Sequence, residues 1–136
     1  MLRGILPDAN CEGHFQVLLR VLHDEERREF WHYLNLAVLN FEDLGLVSDA
    51  SDRDIWEQCQ QHEVILITAN RNAEGPDSLE AIIRSGNTSD SLPVLTLANV
   101  EGIRHDRQYA VEVTDRLLDY LFSIDDFRGI GRLFLP

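Results

Sequence analysis

The chain has 136 residues, 44% apolar and 26% charged, the balance of a globular domain long enough to bury a core. Twenty-four acidic residues against 12 basic ones leave a formal charge of −12, a field that repels polyanions and excludes non-specific nucleic-acid binding through a broad basic face. All 12 cations are arginine, and the lack of lysine excludes Schiff-base chemistry, a lysine general base and a P-loop.

No apolar run approaches the roughly 18 residues needed to span a bilayer. The opening MLRGILPDAN lacks the long apolar core of a signal peptide, so a cytoplasmic location and no membrane partner are expected. Cys11 and Cys59 stand alone, without CxxC spacing, and are expected to be reduced, partly buried thiols.

Taken in chain order, the first strand is expected from Arg3 to Leu6, with Pro7 ending its pairing. Phe15, Leu18, Leu19 and Leu22 recur at helical spacing and form one apolar stripe. Asp24 to Leu34 is acidic at its start and aromatic at its end, which predicts a second helix. Leu36 to Phe41 reads as the second strand. Ser51, with Asp54 three residues on, resembles a capping box and starts a helix that runs to about His62, with Ile55, Trp56 and Cys59 inward.

Val64 to Thr68 is a continuous apolar run, the pattern of a strand buried on both faces. It ends in Thr68, Asn70 and Asn72, polar groups at the place where strands of open α/β sheets hold their ligands. Asp77 is expected to cap a short helix carrying Leu79, Ile82 and Ile83 and stopped by Gly86. Leu92 to Ala98 is the fourth strand. A helix from about Asp106 aligns Tyr109, Val113, Leu117 and Leu121, and Gly129 to Pro136 closes the chain as a short edge strand. Alternation of this kind predicts one α/β domain over residues 1–136, a three-layer sandwich with a mostly parallel sheet of about five strands and helices on both faces.

Three pieces then fall in order: Leu6-x-Asp8-x-Asn10 at a strand end, Ser51-Asp52-x-x-Ile55 at a helix start, and Val64-Ile-x-Ile-Thr68-x-Asn70-x-Asn72 at a second strand end. Together they resemble the PIN-like superfamily, in particular its small bacterial proteins related to toxin ribonucleases. The resemblance implies a Mg²⁺- or Mn²⁺-dependent endoribonuclease acting on single-stranded RNA, the toxin-like member of a pair with an antitoxin-like protein. It implies Asp8 and Asp52 as metal ligands, with Asn70 and Asn72 completing the catalytic group and Asn10 orienting the carboxylates. Hard cations take carboxylate oxygens, and a bound metal activates water and stabilises a leaving oxygen.

Positions 70 and 72, where the pattern has aspartate, carry amides in this chain. An amide oxygen ligates a metal without adding charge, and the affinity of such sites follows their charge. The alternative reading is therefore a PIN-like domain without nuclease activity that acts as a binding or regulatory partner, within a two-protein pair or as a homo-oligomer. Glu12, Asp49 and Asp54 are further acids that the fold would have to bring in.

Each of these residues also has a plain structural reading. Asp8 suits a turn or helix cap, Asp52 and Asp54 suit a helix's first turn, and Asn70 and Asn72 suit left-handed loop positions. His14, His23, His32, His62 and His105 form no zinc motif and read as surface or half-buried residues. Phe30, Trp31 and Tyr33 read as core or interface. Arg27, Arg28, Arg71, Arg84, Arg104 and Arg107 are the cations from which a basic groove would have to be built, with Arg71 a candidate phosphate clamp.

Overall fold

A computed structural model describes all residues, Met1–Pro136. Five strands form one sheet: β1 (Gly4–Pro7), β2 (Ala37–Val38), β3 (Val64–Thr68), β4 (Val94–Leu97) and β5 (Arg132–Leu135). Their order is β2-β1-β3-β4-β5 and every neighbouring pair is parallel. Six α-helices connect them: α1 (Glu12–Leu22), α2 (Arg28–Leu34), α3 (Asp52–Gln61), α4 (Leu79–Gly86), α5 (Val100–His105) and α6 (Arg107–Phe122). The fold is an α/β three-layer sandwich, and no helix is long and apolar enough to cross a membrane.

Strand alternation divides the core in two. Ile5, Ile65, Ile67, Leu95 and Leu97 face α1, α5 and α6, where they meet Phe15, Leu18, Val113 and Leu117. Leu6, Val64, Leu66 and Val94 face α3 and α4, where Ile55, Trp56, Ile82 and Ile83 close a second cluster. The apolar stripes expected on α1, α3, α4 and α6 are the faces that bury these residues.

The crossovers are not all of one hand. Going from β1 to β2 the chain steps one way over the α1 face; from β2 to β3 and from β3 to β4 it steps the other way over the α3–α4 face. Those three crossovers share a hand. From β4 to β5 it steps in the same direction as before, yet α5 and α6 lie over the α1 face. That last crossover has the opposite hand, against the strong preference for uniform right-handed βαβ units. It leaves the α3–α4 face of β5 without a helix of its own, so Arg132 and Phe134 look onto a cleft instead of a core.

Several boundaries differ from expectation for local reasons. Pro7 pairs in register with Ile67 and so belongs to β1. β2 shrinks to two residues because Asn40 and Asp43 exchange side-chain-to-backbone hydrogen bonds that turn the chain. The second helix starts at Arg28, since the Asp24 carboxylate accepts from the Glu26 and Arg27 amides in a separate turn. Ser78, not Asp77, caps α4, its hydroxyl accepting from the Ala81 amide at 3.2 Å. Before α6, which begins beside Asp106 as expected and takes it as its cap, the short helix α5 appears, capped by Asn99.

Below the sheet, Arg128 gathers the amino ends of the strands. It donates to Glu63 at 2.7 Å, to Asp125 at 2.8 Å and to the Asp90 carbonyl at 2.8 Å. The bond from Arg128 holds the Glu63 carboxyl below its ordinary range. A lowered acid stabilises the fold fully above its unfolded pKa of about 4.3 and loses that contribution as pH falls through the folded value. Urea unfolding of Glu63→Gln should therefore show its full deficit against the parent near about pH 6, and the deficit should shrink as pH falls below about 4. A second test concerns Gly4, where an added Cβ would lie 2.6 Å from the Ala37 carbonyl oxygen. Gly4→Ala should push β2 away and cost about 1–3 kcal/mol in urea unfolding.

Candidate functional site

The strand order reverses direction at β1: β2 lies to one side and β3 to the other. In open parallel sheets that reversal opens a crevice at the carboxyl ends, where loops diverge over opposite faces. Asp8 follows β1 and Thr68 ends β3, so both stand at this crevice.

A continuous hydrogen-bond network joins the polar groups there. The Thr68 hydroxyl, fully buried, donates to Asp8 Oδ2 at 2.9 Å and accepts from the Asn70 amide N–H at 3.0 Å. Asn70 Nδ2 donates to Asp52 Oδ2 at 3.2 Å, while Asn70 Oδ1 accepts from the Asn72 backbone at 2.9 Å. The two bonds to Asn70 fix its amide orientation: oxygen toward its own loop, nitrogen toward Asp52. Asp8 Oδ1 accepts from the Ala9 N–H at 2.8 Å as the cap of a short 3-10 turn, and Ser51 caps α3 through the Asp54 amide at 3.1 Å.

The predicted residues thus separate. Asp8, Thr68, Asn70 and Asp52 come together across three chain segments. Asn72 does not join them through its side chain, whose oxygen accepts from the Glu74 amide in an Asx turn. Asn10 is exposed and its side chain bonds to nothing in the chain.

The fit of a divalent metal can be judged from these donors and acceptors. Nowhere do three Asp, Glu, His or Cys side chains gather as a ligand set, so Glu12, Asp49 and Asp54 do not complete Asp8 and Asp52. Both Asp8 oxygens and one Asp52 oxygen already accept from the chain's own donors. The Asn70 atom facing Asp52 is a nitrogen, which offers a metal no lone pair. This donor set does not fit a carboxylate-bound Mg²⁺ or Mn²⁺.

Of the histidines, His23 and His32 meet edge to face with ring centroids 6.0 Å apart, His105 approaches Glu101 at 3.3 Å on the surface, and His62 bonds Gln58 at 3.2 Å. Cys11 and Cys59 lie deeper than expected: both are free and fully buried, and burial, reinforced by Asp8, pushes each thiol up to about 12. Neither is a nucleophile at neutral pH.

Sequence reading missed the residues that support this crevice from the β4–β5 side. Arg132 Nη1 donates to the Asn70 carbonyl at 2.9 Å and to the Thr96 hydroxyl at 2.6 Å, and its Nε donates to Glu80 at 3.0 Å. Thr96 is the register partner of Thr68, so two buried threonines carry the polar row from β3 to β4. The one local signal was an arginine bracketed by apolar residues after Gly129 and Gly131. Of the other arginines, Arg27 is spent on Asp24 and Asp115, while Arg71 and Arg84 lie in the cleft beside Arg132.

Neither family models, curated proteins nor solved structures match this chain. The PIN-like likeness therefore rests on the residues themselves. Thr68→Val tests the network: it removes one donor and one acceptor from a buried site at nearly constant volume. The expected cost is about 1–3 kcal/mol in urea unfolding.

Proposed function

We propose that this chain is a PIN-like domain that acts as a binding or regulatory partner and performs no metal-dependent cleavage. The observation that carries the reading is the Asn70 amide. Two carboxylates at positions 52 and 70 would repel at this separation unless a cation or proton stood between them. Here Asn70 Nδ2 donates directly to Asp52 at 3.2 Å. The amide supplies the positive end that a metal would supply, and the site closes on itself.

The surface supports a protein partner of basic character. Phe30 and Tyr33 pack on Phe122 with ring centroids 6.1 Å and 5.8 Å away, yet all three remain about half exposed or more. Asp115, Asp119 and Asp126 line the clefts on either side of this ridge. An aromatic ridge with an acidic rim suits a cationic amphipathic segment, such as an antitoxin-like protein would present. A second copy of a chain carrying −12 would meet its own charge there, which disfavours homo-oligomerisation through this face.

Ribonuclease activity is the second reading, favoured by Asp8 and Asp52 ending in one network. Calorimetry with Mn²⁺ and a fluorogenic single-stranded RNA separates the two. The binding-partner reading expects no saturable Mn²⁺ uptake up to about 1 mM and no cleavage, and it expects Asn70→Asp to gain Mn²⁺ affinity by about tenfold or more. Sub-millimolar Mn²⁺ binding together with Mn²⁺-dependent cleavage that Asp8→Asn abolishes would return the chain to the nucleases.

A further inference from the structure

Beside the strand-end network lies a separate cleft of about 460 Å³, bounded by the loop after β3, by α4 and by β5. Arg71, Arg84 and Arg132 line it, with Glu80 the one acidic residue in its wall. A chain with twice as many acids as bases has concentrated three of its 12 cations around one hollow.

The arginines are not equivalent. Arg132 forms the buried wall, its side chain only 8% exposed. Its Nε and Nη1 are engaged by Glu80, Asn70 and Thr96, but Nη2 is shielded from solvent and has no partner. A buried guanidinium nitrogen without an acceptor is costly, and an anion seated beside Arg132 would offset that cost by supplying the acceptor. Arg71 is exposed and makes no ion pair, and Arg84 is 76% exposed and held only by Glu80 at 3.6 Å. Both can swing toward a ligand that the fixed Arg132 anchors.

The cleft also has an apolar part. Ile130 and Phe134, about half exposed, line the same hollow, and Phe134 shares with Arg132 the face of β5 turned toward it. A purely ionic site gains nothing from an exposed phenyl ring, whereas an anion carried on a flat apolar body uses both the arginines and the ring. The volume suits a ligand of mononucleotide size, and a cleft lined by three arginines admits a compact anion where the overall field turns away a polyanion.

We infer that this cleft is a binding site for a small organic phosphate, its phosphate held by Arg71, Arg84 and Arg132 and its flat body laid against Phe134. The site is independent of whether the strand-end network cuts RNA.

Calorimetry on the intact chain with adenosine 5′-monophosphate, phenyl phosphate, inorganic phosphate and adenosine tests both halves. Both organic phosphates should bind saturably, inorganic phosphate about tenfold more weakly, and adenosine not at all. Arg71→Gln and Arg84→Gln, surface changes that leave the urea midpoint in place, should each weaken the organic phosphates about tenfold. Phe134→Ala should weaken them while sparing inorganic phosphate. The inference is overturned if no organic phosphate binds up to about 10 mM, a weak limit for a ligand of this size. It is equally overturned if binding ignores the double variant of Arg71 and Arg84, or if inorganic phosphate binds as tightly as the nucleotide.

Discussion

The pairing of β1 with β3 is the constraint on which the rest of this structure depends. Gly4 to Pro7 register against Val64 to Ile67 in parallel, and both strands are buried on both faces. Alternation sends Ile5, Ile65 and Ile67 to one core and Leu6, Val64 and Leu66 to the other. A slip of one residue would exchange those sets between helix layers shaped for different side chains. The same register brings Asp8 beside Thr68, so the polar network at the strand ends follows from how the apolar residues pack. Chemistry at this crevice is placed by the core beneath it.

Much of this was legible in the sequence because it is written locally. The Val64–Thr68 run, the Ser51 cap and the stripe of α6 each announce themselves within a few residues. What stayed hidden is non-local. Asn70 meets Asp52 across 18 positions, and Arg132 meets Asn70 across 62. In sequence a buried arginine looks like a solvated one, and nothing near Arg132 names Thr96 or Glu80 as its partners. The strand-end motif itself misled at one position, since the Asn72 side chain serves its own turn. The hand of the last crossover was also beyond reach, because element order alone does not say which face a helix takes.

Two arginines bracket the sheet along its strands. Arg128 ties Glu63, Asp125 and a loop carbonyl at the amino ends, and Arg132 ties Glu80, Thr96 and a loop carbonyl toward the carboxyl ends. Each planar fork reaches several acceptors at fixed angles, which a lysine ammonium does not do. A chain without lysine has placed this geometry where parallel strands hand over to loops. At Asp52 the neutral amide of Asn70 performs a similar service at no cost in charge.

The position of Arg132 has a further consequence, for what the sheet does next to another sheet. Open sheets end in strands with unpaired backbone groups, and such edges recruit strands from other chains into fibres. One edge here, β2, is two residues long and offers almost nothing to extend. The other, β5, is four residues long and carries a charged guanidinium turned inward against α4 and β4. An inward-pointing charge of this kind is one of the devices by which edge strands are kept from recruiting others.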